Sequence, residues 1–240
     1  MSWHRLANKI FIVFWVYSFI LFTSKADNSS GFTMRKSFIF LTAAAILLSA
    51  CKAKIVELDL KQEDLQAVQN GDVKYASFEA KFSNIGELDD EQRAQVTALE
   101  NILENYMDLD DFELANTDMG FDVIVEGVIP ISSQEQSASP YYMLVEPSNI
   151  FEGYHLVQLK TGDAFKKMSS EMKAINFMLA PDEFHPTTLK VRADNMDVIV
   201  IGAEMDGEAN LVWQGTIERR ERFSFSGGIF DKTGAGIFFK

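Results

Sequence analysis

The chain has 240 residues, a formal net charge of −13 and a single cysteine; 47% of its residues are hydrophobic and 24% are charged. That length can bury a sizeable core, whereas one cysteine excludes an internal disulfide framework, so stability has to come from packing. The acidic balance excludes nucleic acid as a direct ligand, because such ligands need a basic footprint.

Residues 1–33 carry Arg5 and Lys9, run apolar from Ile10 to Phe22, and turn polar from Ser24 to Ser30. A second unit of the same kind starts at Met34. It has Arg35 and Lys36, an apolar stretch from Phe38 to Leu48, and a small-residue exit at Ser49-Ala50 before Cys51. This is the three-part layout of an export signal, and the apolar stretch is shorter than the ~20 residues a membrane-spanning helix needs. Lys52-Ala53-Lys54 turns polar directly after the cysteine, which argues against a core helix ending in a buried thiol.

Leu48-Ser49-Ala50-Cys51 resembles the lipobox of bacterial lipoproteins. The resemblance implies cleavage after Ala50, a diacylglycerol on the Cys51 sulfur and an amide-linked acyl chain such as palmitate on its amine. Those covalent lipids are the only prosthetic groups expected, and more than one chain is what stable attachment requires. Since Lys52, and not aspartate, follows the cysteine, the implied destination is the periplasmic leaflet of the outer membrane. The signal peptide is then 34–50, the mature domain 51–240, and residues 1–33 an extension arising from a misassigned start. The alternative for residues 1–33 is a genuine first membrane segment. Residues 1–50 hold five Lys/Arg and one Asp, so the mature part carries a net charge of −17.

Within the mature part, alternation of apolar and polar residues predicts strands over Ile55 to Leu60 and Val73 to Phe82. An amphipathic helix is expected at 89–107, with Val96, Leu99, Ile102, Leu103 and Tyr106 on one stripe and a capping box of Asp89 and Gln92. Strands follow at Phe112 to Asn116 and Phe121 to Ile131, where Pro130 suggests an edge or a strand end. Ser132 to Pro140 is small and polar, a linker candidate. Beyond it come strands at Tyr141 to Glu146 and Tyr154 to Lys160, and a helix at Asp163 to Asn176 with Phe165, Met168, Met172 and Ile175 on one face. Strands at Leu189 to Ala193 and Met196 to Ile201 complete this part. The fold class is therefore α+β, with antiparallel-rich sheet and two amphipathic helices. Residues 55–131 and 141–203 both read as β-β-α-β-β, each with an Asp-Val-Ile-Val segment, which predicts an internal duplication. Residues 211–239 read as a closing C-terminal hairpin with its turn at Asp231 to Gly236.

Signals for chemistry are sparse. Only His155 and His185 follow Cys51, neither in a zinc-binding helix motif, and no Gly-x-Ser-x-Gly elbow occurs. Asp108, Asp110, Asp111, Glu113, Asn116, Asp118 and Asp122 supply oxygen ligands, but their spacing does not fit a calcium loop, so a solvated helix-to-strand connection is expected. The segment around Lys232-Thr233 has Asp231 where a phosphate loop needs glycine. Tyr141, Tyr142, Phe151, Tyr154 and Trp213 are either a contact patch or core; strands bury such residues, which favours core. No catalytic residue and no metal ligand is assigned. The expected function is a non-enzymatic, lipid-anchored binding or structural module of the envelope, with an envelope protein as partner. The rival readings are an anchored periplasmic hydrolase using a carboxylate with His155 or His185, and an exclusion lipoprotein of a mobile element.

Overall fold

The computed structural model describes residues 53–175, 187–205, 208–225 and 236–240. Ala50, Cys51, the signal segment, the 1–33 extension, His185 and Asp231 to Ala235 lie outside the described residues.

The described chain is α+β, built on one eleven-stranded sheet with three helices. Its elements are β1 (Ala53–Lys61), α1 (Gln62–Gln69), β2 (Lys74–Ile85), α2 (Asp90–Tyr106), β3 (Asp108–Thr117) and β4 (Gly120–Ser132). Then come β5 (Tyr141–Pro147), β6 (His155–Thr161), α3 (Asp163–Ile175), β7 (Thr187–Arg192), β8 (Met196–Met205), β9 (Glu208–Ile217), β10 (Arg220–Phe225) and β11 (Gly236–Phe239). The strands follow the order β10-β7-β1-β2-β4-β5-β6-β11-β8-β9, with β3 on β4. Ser224 of β10 also pairs with Glu204 of β8, which brings the path back on itself. Pairing is antiparallel except between β1 and β7 and between β4 and β5.

Alternation decides which face packs. Leu58 and Leu60 of β1, Ala76 and Phe78 of β2, and Phe121, Val123, Val125, Ile129 and Ile131 of β4 are buried. They join Leu189, Val191, Val198, Val200, Phe223, Ile237 and Phe239 in one hydrophobic cluster. The helices feed the same cluster. In α2, Leu99 and Leu103 are buried and Val96, Ile102 and Tyr106 pack beside them; in α3, Met168 and Met172 are buried. Each such buried side chain contributes roughly 1.5–3 kcal/mol. The Asp89 carboxylate accepts the Gln92 amide at 2.7 Å and the Gln92 side chain accepts the Asp89 amide at 3.1 Å, so the expected capping box starts α2.

Several expectations need correction. Helix α1 offers only Leu65 and Val68 as buried residues, too few for a helical period to register, and it follows β1 without a capping side chain. The acidic run Asp108 to Glu113 is no connection: it forms the first half of β3, paired to β4, with Asp110 the extra residue of a bulge. An edge strand tolerates those charges on its outward side.

The expected duplication is not what the sheet shows. Residues 55–131 pair in the order β1-β2-β4-β3, whereas in 141–203 β11 separates β6 from β8, and β7 leaves to lie parallel to β1. Nor do residues 211–239 form a hairpin. The chain breaks at Glu218-Arg219, β10 crosses to β7, and β11 inserts between β6 and β8. Long-range burial of Phe223, Phe225, Phe238 and Phe239 decides this, and no turn residue marks the break.

Two glycines fix how closely these layers approach. A Cβ on Gly127 would stand 2.4 Å from the Asp108 carbonyl and 2.9 Å from the Phe78 ring; on Gly162 it would stand 2.3 Å from the Ser139 carbonyl. Gly127→Ala and Gly162→Ala are each expected to cost about 1–3 kcal/mol through overpacking. Urea unfolding followed by circular dichroism checks this, and an unchanged midpoint would contradict it.

Candidate functional site

Strand β4 pairs with β3 only as far as Val128 and with β5 only from Ile131. Ile129 and Pro130 therefore have no strand neighbour on that edge, and a residue without an N–H is tolerated there. The expectation that Pro130 marks an edge agrees with this local gap inside a long strand.

The fork between β3 and β5 opens an outward cleft of about 310 Å³, within the size range of ligand pockets. Its walls are Val73 and Tyr75 at the start of β2, Tyr106, Met107 and Asp108 at the α2–β3 junction, Val128 to Pro130, and Gln136, Ser139, Pro140 and Tyr141. Tyr75 is 58% exposed and Val73 48%, two of the few large apolar side chains left open among the described residues.

The other tyrosines of the cleft are held. The Tyr106 hydroxyl donates to Glu171 Oε1 at 2.6 Å, and that bond raises the phenol's pKa above its ordinary value. The Tyr141 ring meets Phe165 edge-on at 5.3 Å, and burial pushes its phenol well above the usual range. The loop beneath is folded around Ser132, whose Oγ accepts from the Gln134 amide and the Gln136 side chain. Ala164 donates to the Ser137 carbonyl, and Gly162 to that of Pro140. The expected linker Ser132 to Pro140 is thus a hydrogen-bonded surface loop whose Gln136, Ser139 and Pro140 line the cleft. No histidine or cysteine lines it among the described residues, so its chemistry is aromatic contact with hydrogen bonding from Gln136, Ser139 and Asp108.

The outward face of β1, β7 and β10 is charged and paired. Glu57 takes both Lys190 and Arg222, and Arg192 holds Asp59 through two bonds of 2.9 and 2.5 Å. Lys81 pairs with the buried Asp122 at 2.6 Å. Register also lines up Glu57, Glu79, Glu126 and Asp111 across β1, β2, β4 and β3. Among the described residues no group of three or more His, Cys, Asp or Glu is placed to hold a metal ion.

The residues singled out in the sequence do not come together. His155 lies at the start of β6, with Nδ1 3.0 Å from Gln69 Nε2 and its ring 5.8 Å from Phe239. Trp213, on β9 beyond β8, packs on Phe223 at 5.4 Å and covers Gly215. The acidic stretch is on β3, at the far side of β4. Tyr142 is buried, and Phe151 bridges Tyr154 and Phe238 at 6.2 and 4.8 Å, which makes these aromatics packing residues. Tyr75 was missed, although it stands on the polar side of β2, opposite Ala76 and Phe78. A large aromatic on the face that carries Ser77, Glu79 and Lys81 is the signal that could have found it.

Glu57 and Lys190 are mostly shielded from solvent while Arg192 is half-exposed. Glu57→Gln should therefore destabilise by roughly 1–2 kcal/mol, leaving Lys190 beside Arg222 unneutralised, and Asp59→Asn by less than about 1 kcal/mol. Urea midpoints measure both; equal effects would contradict the difference in shielding. Among the described residues no helix is long and apolar enough to cross a membrane. No protein-family model matches the chain, and no curated protein does.

Proposed function

We propose that the chain is a lipoprotein of the bacterial envelope, anchored through acyl groups on Cys51. Its acidic body binds or braces another envelope protein and performs no catalysis. The anchor part rests on the lipobox-like Leu48-Ser49-Ala50-Cys51, and Lys52 favours the periplasmic leaflet of the outer membrane. The binding part rests on one observation, the open cleft at Tyr75. Tyrosine is enriched at protein contacts because it offers a rigid apolar body with a polar tip.

The position of the cleft supports the same reading. Ala53 pairs with Phe82 at the beginning of β1, while Tyr75 lies seven residues back along β2, about 23 Å away at strand spacing. A partner approaching from the periplasm meets the end remote from the anchor. Against a hydrolase using His155 stands its setting: Nδ1 is taken by Gln69, the ring rests near Phe239, and no carboxylate among the described residues is bonded to it.

Two measurements test the two parts separately. Metabolic labelling with an alkynyl fatty acid should mark the wild-type protein and lose all signal in Cys51→Ser; persistent label would refute anchorage at that sulfur. A photo-crosslinking amino acid at position 75 should give a discrete adduct in intact cells, weakened severalfold by the cleft variant Tyr106→Ala. A smear equal to that from a probe at exposed Glu152 would count against a binding cleft.

A further inference from the structure

We infer that the rim of the sheet where β1 begins, with Met119 at its tip, rests on a zwitterionic phospholipid surface; this depends on the lipid-anchor reading above. The first observation is the length of the tether. Only Lys52 separates Cys51 from Ala53, which is already in β1 and paired with Phe82. Two residue steps span about 7 Å at most, so an anchor at Cys51 would hold the start of β1 within that distance.

The second observation is what stands beside that point. Strand β1 is antiparallel to β2, so β1 followed back to Ala53 runs the same way as β2 from Phe82 to Ile85. Strand β2 continues to Gly86, whose amide donates to the Met119 carbonyl at 2.9 Å. From Phe82 to Gly86 is four steps, about 13 Å. The Asp118-Met119 turn therefore projects farther in the direction of the anchor than Cys51 itself can reach. With the acyl chains in the hydrocarbon, the turn is brought to the level of the headgroups.

The third observation is the residue at the tip. Two-residue hairpin turns favour Gly, Asn and Asp, yet this one carries Met119 beside Asp118, and Met119 is 70% exposed. Asn195 is the one non-glycine residue with positive φ among the described residues, so the turn at Met119 needs no special backbone. An unbranched, adaptable side chain of this kind suits a fluid apolar partner. The same rim bears exposed Asp118, Glu87, Asp89, Asp90 and Glu91. These charges repel anionic lipid, so the contact depends on the tether and on Met119, not on electrostatic attraction.

The acylated cysteine leaves no free thiol, because the chain has only one, so an introduced cysteine can be labelled uniquely. Full-length lipidated protein carrying a fluorophore at Asp118→Cys or Asp72→Cys is placed in phosphatidylcholine–phosphatidylethanolamine vesicles containing nitroxide-labelled lipid. Quenching at position 118 should exceed that at 72 severalfold. It should fall toward the level at 72 when Met119→Ser is added, and when a Gly/Ser linker of about ten residues, reaching roughly 17 Å, is inserted after Lys52. Raising the phosphatidylglycerol fraction should also lower it. Equal quenching at both sites, or quenching at 118 unaffected by the linker, would overturn the inference. Flotation of the unlabelled protein is read first: failure to float with vesicles refutes the anchor itself, and the rim contact falls with it.

Discussion

One strand with three neighbours holds this sheet together. The thirteen residues of β4 present β2 on one edge along nearly their whole length, and on the other edge β3 and then β5. Its inward residues, from Phe121 through Ile131, are buried at every second position, so a one-residue slip of register would carry that set to the outward face. Gly127 sits at the middle of this strand, where the Phe78 ring and the Asp108 backbone press against it from the two sides. The central strand is fixed by packing on one face and by close backbone approach on its flank.

The cleft follows from the same arrangement. Where one neighbour ends and the next begins, two residues of β4 are left without a partner, and the surrounding elements diverge around them. Pro130 fits there because no ladder bond is demanded of it. The loop from Ser132 to Pro140 closes the bottom through bonds to Ser132 and through carbonyls that approach Gly162. The α2–β3 junction closes the side through Tyr106, fastened to α3 by Glu171. A site made by a handover between strands is walled by β2, the α2–β3 junction and the Ser132 to Pro140 loop and open to solvent, a shape consistent with the binding role proposed above.

Charge is distributed in a complementary way. Lys190, Arg192 and Arg222 of β7 and β10 pair with Glu57 and Asp59 of β1, whereas residues 51–240 as a whole carry a net charge of −17. Beyond the paired Glu57, the carboxylates of Glu79, Glu126 and Asp111 continue the row across β2, β4 and β3, exposed to water and salt that screen them. An acidic body of this kind avoids nonspecific contact with anionic lipid, so under the proposed anchorage its placement at a membrane would fall to the acyl groups.

Much of this was legible in the order of residues. The capping box at Asp89 and Gln92 and the stripes of α2 and α3 are local patterns, set by neighbours within one or two turns of chain. Strands β1, β2, β4, β5, β6 and β7 also announced themselves by alternation, to within a few residues. Helix α1 did not, because eight residues with two apolar anchors carry no period. Strand partners were not legible either: nothing near Thr187 to Arg192 says that it lies parallel to β1, and nothing near Gly236 to Phe239 says that it divides β6 from β8. Those choices are made by burial between residues far apart in the chain, where many pairings satisfy the same local pattern. The proposed anchorage is therefore read from sequence alone, since a short linear signal is all that carries it. The cleft at Tyr75 and the rim at Met119 exist only after distant strands have met, since each is a gap or a projection that the paired sheet leaves behind.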